Sequence, residues 1–282
     1  MTGRRLRDLG LHSVPLRRPL DYPGRPVREA CLLRGDELLP LRAREGALGT
    51  WRVVDGGATG ELDGVLEALG AAPAGRRHPV VAVGSNASPA QIAHKLGTAG
   101  VPAVVPMVPV TVRGIGVGCS AHIGRAGYVA AAPYADPDAE RPLVVGWLDP
   151  AQMAVVDASE VHYRRVLLPG AAYPMTPPAG PRLGGAYVYV SRHGVLLDPA
   201  TGRPRPGGGD QSALLRALLA ASPRLRALLG PDPAAWIRRA RNEDAVRELG
   251  ARIFAEEGWV RAEEGLPGAS GQGDLSHAEL SP

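Results

Sequence analysis

Residues 79–95 read Pro-Val-Val-Ala-Val-Gly-Ser-Asn-Ala-Ser-Pro-Ala-Gln-Ile-Ala-His-Lys, and this stretch decides the fold. Val80–Val83 is a short continuous apolar run, the pattern of a buried strand. It breaks at Gly84-Ser85-Asn86. Ser88 is then placed as a helix cap with Pro89 in the first turn, which predicts a helix to about Lys95. Strand, tight turn and helix follow one another without a spare residue. Consecutive N–H groups in such a turn, next to a helix start, form a ready anion site.

Toward the C-terminus, β-like runs recur at Val101–Val117, Tyr128–Ala132, Leu143–Leu148, Tyr163–Leu168 and Ala186–Val190, with a shorter one at Val195–Leu197. Prolines 102, 106 and 109 predict that the first of these is an edge or irregular strand, since proline cannot donate to a ladder. One helix interrupts them. Asp149 caps it, Pro150 takes the first position, Gln152 completes a capping box, and Met153 and Val156 give an apolar face. Many strands with few helices predict an α+β fold built on a small mixed β-barrel over residues 76–200, not a doubly wound sheet.

Residues 1–75 form an N-terminal extension. Ala30–Leu33 and Leu38–Leu41 predict a hairpin, and Leu62, Val65, Leu66 and Leu69 predict a helix capped by Thr59 and ended by Gly70. Residues 71–78 and 199–209 read as linkers. Residues 201–264 are a helical segment, with Asp210, Asp232-Pro233 and the run Ala245–Glu257 opening or forming helices. Residues 265–282 carry no pattern and predict a disordered tail.

The chain has 282 residues, 45% hydrophobic and 21% charged, the composition of a folded chain with a real core. The 37 glycines and 28 prolines announce many turns. No apolar stretch approaches eighteen residues and the start, MTGRRLRDLGLHSVPLRR, lacks a signal-peptide core, so a cytoplasmic location and no membrane partner are expected. The net charge of +4 is spread thinly. Residues 1–76 carry 12 basic and 10 acidic side chains, 77–200 carry 9 and 7, and 201–282 carry 11 and 11, so nothing forms the basic stripe of a nucleic-acid binder. Of the 32 basic residues, Lys95 is the sole lysine. Cys31 and Cys119 cannot make a zinc cage or disulfide framework.

General acid–base chemistry needs a tunable side chain in a cleft. In the central region Asp136, Asp138 and Glu140 read as a solvated acidic loop, Asp149 is a cap, and Asp198 precedes a proline. Asp157 and Glu160 remain, both at a helix end where a negative charge opposes the dipole. An ion pair of Glu160 with Arg164 or Arg165 is the plain alternative. His94, His122 and His162 lack the helical spacing of metal ligands, so no metal is expected. Gly114-Ile115-Gly116-Val117-Gly118 reads as a bending strand at a barrel corner instead of a dinucleotide loop.

Val81-Ala82-Val83-Gly84-Ser85-Asn86 with its proline-initiated helix resembles the YGSN motif of the gamma-glutamylcyclotransferase-like family. Gly146-Trp147-Leu148, Gln152 through Val156-Asp157-Ala158-Ser159-Glu160, and Tyr163-Arg164-Arg165-Val166 are similar to that family's second signature, and Ala186–Val190 stands at its closing strand. The resemblance spans residues 79–197. It implies a small mixed α/β barrel in which backbone groups of Gly84, Ser85 and Asn86, with Val83 and Ala87 beside them, hold the acyl-donor end of the substrate and Glu160 is the acid–base; Tyr163 is read as a pocket residue, with a barrel-core aromatic as its alternative. It also implies release of 5-oxoproline and a free amine or amino acid from a γ-glutamyl amide, with no cofactor. Val83 stands in place of the motif tyrosine, and Val161 in place of a small glycine at the pocket floor. A non-catalytic binding or scaffolding module on the same fold, or an amide hydrolase variant, is the alternative.

Overall fold

The computed structural model describes residues 4–267. The N-terminal part contributes β1 (Arg4–Arg5), β2 (Cys31–Arg34), β3 (Glu37–Arg42), β4 (Arg52–Asp55), β5 (Ala58–Glu61) and α1 (Leu62–Ala68). The central part runs β6 (His78–Ala82), α2 (Pro89–Thr98), β7 (Val104–Ile123), β8 (Val129–Leu148), α3 (Pro150–Ser159), β9 (Tyr163–Pro169), β10 (Met175–Thr176), β11 (Gly185–Ser191) and β12 (Val195–Leu196). The C-terminal part is α4 (Gln211–Ala221), α5 (Pro223–Leu229), α6 (Pro233–Asn242), α7 (Asp244–Glu256) and β13 (Val260–Arg261).

The strands pair in the order β5-β4-β3-β2-β7-β8-β6-β11-β9, with β6 and β11 parallel and the other neighbours antiparallel. The architecture is a mixed α+β one, but the large sheet is partly open where a closed barrel was expected. The reason lies in the extension: β2 adds to β7 through Cys31↔Met107 to Arg34↔Val104 and carries β3, β4 and β5 outward with it.

Strand length overturns one expectation and half of another. β7 and β8 are each 20 residues long and pair along most of their length. The acidic stretch Asp136–Glu140 is therefore strand, and Arg113 and Glu140 face each other across the ladder. β7 is interior and not an edge, despite its prolines, and it is irregular, with register shifts between Arg113 and Ile115 and between Cys119 and Ile123. The side of β7 away from β8 is served in relay by β2 at residues 104–107, β10 at 111–112 and β12 at 120. Gly114, at φ +82°, sits in a register shift between Arg113 and Ile115. Gly116 and Gly118 lie against the Tyr134 ring, so the glycine run is a bent strand.

The hairpin Arg34↔Glu37 matches its pattern. The Asp149 capping box has both of its bonds, and Asp210 and Asp232 each accept from the backbone three residues on. Thr59, by contrast, is a strand residue in β5, and α1 starts after Glu61 with no side-chain cap. The supposed linker at 71–78 contains Arg77, which is fully buried and donates to the carbonyls of Ala72, Val104 and Trp147 and to Gln152 Oε1. Leu266, placed in the expected tail, is buried in the main core, and Arg164 donates to the Pro267 carbonyl. The rest of that tail, 268–282, lies outside the described residues.

Candidate functional site

β6 ends at Ala82, and the chain turns through a single 3-10 turn, Ser85–Ala87, before α2 begins at Pro89. α2 packs along α3, which brings the last turns of the two helices together. Asn86, Lys95 near the end of α2, and Glu160 at the C-terminal cap of α3 meet there. Lys95 Nζ lies 2.7 Å from Glu160 Oε1, Asn86 Nδ2 donates to the same oxygen at 3.0 Å, and Lys95 Nζ also donates to Asn86 Oδ1 at 2.8 Å. The three side chains close a ring of hydrogen bonds. Both charged members are largely shielded, with side-chain exposures of 8% for Lys95 and 15% for Glu160. An ion pair so shielded is held more rigidly than a surface pair.

The ring fixes one carboxylate oxygen and leaves the other available. Among the described residues, nothing donates to Glu160 Oε2. Likewise the N–H groups of Ser85 and Asn86 find no acceptor there, whereas Ala87 and Ser88 donate back to Gly84 and Ser85. Gly84, Ser85, Asn86, Lys95 and Glu160 all line a cleft of about 500 Å³. That is the size range of small-molecule sites.

Tyrosines form the opposite wall. Tyr163 donates to the Ala131 carbonyl at 2.9 Å, and the Ala131 N–H donates to the Tyr22 hydroxyl at 2.7 Å. Ala131 pairs with Cys119 on one side of β8, so the two phenols satisfy the peptide edge left on the other. Tyr22 also stacks on Tyr128, ring centroids 4.3 Å apart. Burial raises the phenols of Tyr22, Tyr128 and Tyr163 above their ordinary range, with nearby Glu160 adding to the effect, so all three keep their protons.

The structure thus brings Val83, Gly84, Ser85, Asn86, Glu160 and Tyr163 to one cleft, and it leaves out Ala87. The Ala87 side chain packs against a hydrophobic cluster behind the turn, and its carbonyl accepts from Val27. Val161 lines the cleft but is 70% exposed, at the rim instead of the floor. The ion pair of Glu160 is with Lys95. Arg165 is taken by Asp157, which also accepts from Tyr189, and Arg164 points to the Pro267 carbonyl.

Two features escaped the sequence. Tyr22 comes from the extension, 62 residues before Gly84, and no local pattern marks it. Lys95 carried a signal, its uniqueness among 31 arginines. His122 and His162 do come together, with His193 as third member: the ring centroids lie 4.5 to 5.2 Å apart, and His122 and His193 stack. Helical spacing could not reveal a cluster drawn from three elements. Among the described residues no group of three His, Cys, Asp or Glu side chains is arranged to hold a metal ion. Nor is any helix among them long and apolar enough to cross a membrane.

No family model and no curated protein matches the chain. Among solved structures it is similar to the crystal structure of a gamma-glutamyl cyclotransferase specific to glutathione from yeast. The identity is 13%, the match covers 48% of this chain and 88% of that one, and the TM-score is 0.27.

Proposed function

We propose that the protein is a γ-glutamylcyclotransferase-like enzyme that converts a γ-glutamyl amide to 5-oxoproline and a free amine. One observation carries the reading: a carboxylate with one oxygen fixed and one unengaged opens onto the same cleft as a turn with two unengaged backbone N–H groups. In this reaction the substrate's α-amino nitrogen attacks its own γ-carbonyl carbon. Glu160 Oε2 takes the proton lost by that nitrogen and returns it to the departing amine as the old C–N bond breaks. The N–H groups of Ser85 and Asn86 donate to the carbonyl oxygen as charge develops on it. The nucleophile is tethered to the electrophile, so the protein's task is to fold the substrate and move one proton.

Replacing Glu160 with Gln keeps the shape and removes the proton acceptor. The expected result is a fall in 5-oxoproline release of about 10²- to 10⁴-fold, read by mass spectrometry on a panel of γ-glutamyl amines. Wild-type turnover in that variant would refute the mechanism.

The Lys95–Glu160 pair favours a second reading, a binding module in which the carboxylate is purely structural. It predicts no 5-oxoproline from any panel member in the wild-type protein, and a lowered melting temperature in the Gln variant.

A further inference from the structure

We infer that Tyr22 is a catalytic hydrogen-bond donor, its hydroxyl held over Gly84 to donate to the carbonyl oxygen of the bound amide. The inference rests on the proposed cyclotransferase reading and adds to it a residue from outside the 79–197 segment. The geometry comes from three contacts. A β-carbon built on Gly84 would lie 2.4 Å from the Tyr22 hydroxyl oxygen, so the phenol stands directly against the turn. The Ala131 N–H donates to that oxygen at 2.7 Å, which commits the oxygen as acceptor, and the hydroxyl proton finds no acceptor among the described residues. Tyr22 is 94% buried by its 6% exposure, yet it lines the cleft. A buried donor left without an acceptor is costly unless a ligand supplies one.

Tyr163 makes the contrast. It meets the same peptide from the carbonyl side and spends its proton on Ala131. Tyr22 meets the N–H side and keeps its proton free. Burial holds the phenol protonated well above its ordinary range, Tyr128, Glu160 and Cys119 push it the same way, and Arg205 and Asp210 line a neighbouring cavity with it. Tyr22 is therefore a donor at working pH, not a base. As the γ-carbonyl carbon becomes tetrahedral, its oxygen gains negative charge and accepts from Tyr22; the phenol proton stays on Tyr22 throughout, and Glu160 alone transfers a proton.

The test compares wild type, Tyr22→Phe, Glu160→Gln, and a protein carrying 3,5-difluorotyrosine at position 22. Substrates are glutathione, γ-glutamyl-alanine and γ-glutamyl-methylamide, with 5-oxoproline measured by mass. Tyr22→Phe should lower kcat about 10²- to 10³-fold with KM changed less than about threefold. The fluorinated phenol keeps the ring and the Ala131 contact but is more acidic. It should raise kcat severalfold above wild type, because a more acidic phenol that stays protonated is the stronger donor to a developing oxyanion. That rise decides the matter even if Tyr22→Phe folds poorly. Turnover that is lost in Glu160→Gln but unchanged in both Tyr22 proteins overturns the role of Tyr22 and leaves the cyclotransferase reading standing. Absence of 5-oxoproline from wild type on every substrate overturns both.

Discussion

At the scale of single residues, Gly84 shows how a neighbour can exclude a side chain: the Tyr22 hydroxyl rests where its β-carbon would go. Gly84→Ala must push the phenol off the Ala131 N–H. The expected cost is about 1–3 kcal/mol, read as a lower urea midpoint, together with loss of turnover as large as that of Tyr22→Phe. A variant that keeps wild-type stability and rate would mean the phenol moves freely. The site was legible in sequence where its residues follow one another, as Gly84-Ser85-Asn86 do, and at Glu160, which elimination left among few carboxylates. It was illegible at Tyr22 and in the partner of Glu160. Both depend on which segments the sheet and helices bring together, and neither spacing nor composition encodes that.

At the scale of elements, β6, β7, β8 and α3 are tied together by a buried cation. Arg77 stands one residue before β6 and donates to Ala72, to Val104 at the start of β7, to Trp147 near the end of β8 and to Gln152 in the first turn of α3. Burial lowers its proton affinity, and Asp149, 4.0 Å away, works against that. Arg77→Met would leave several buried acceptors unpaired, with an expected loss of about 3–5 kcal/mol in urea denaturation. A change below about 1 kcal/mol would show that water or repacking replaces the guanidinium. The sequence announced α3 because Asp149, Pro150 and Gln152 are local signals, and it announced β6 because the run is apolar and short. It misjudged β8 as two strands and a loop. Asp136, Asp138 and Glu140 look solvated, and they are strand residues because β7 runs alongside them, a constraint from 27 positions away in the case of Arg113 and Glu140.

For the whole molecule, the histidine cluster sets how stability depends on pH. His122 reaches it from β7, His162 from the turn before β9 and His193 from the turn after β11. Burial comes first in lowering each of the three below the ordinary imidazole value, and their mutual proximity adds to it for His122 and His193. Arg247 lowers His162 further and Arg192 lowers His193, while Glu160 works the other way on His162. The folded state therefore binds fewer protons here than the unfolded chain. This contribution to stability is complete above about pH 6.5 and is lost as pH falls below it. Melting temperature should drop between pH 7 and pH 5, and His193→Asn should flatten the drop; an unchanged slope would remove the cluster as its cause. The same scale explains the misread barrel. The extension looked like an appendage in sequence, but its strands join the central sheet at β7 and Tyr22 enters the cleft.

The cleft also contains the chain's one ε-amine. Because every other basic side chain is a guanidinium, reductive methylation with isotopically labelled formaldehyde marks Lys95 and, besides it, the terminal amine alone. A dimethylated Lys95 keeps its charge beside Glu160 but retains one N–H for the two acceptors Glu160 and Asn86, so its carbon resonance reports occupancy of a cleft whose ring of hydrogen bonds is opened by one bond.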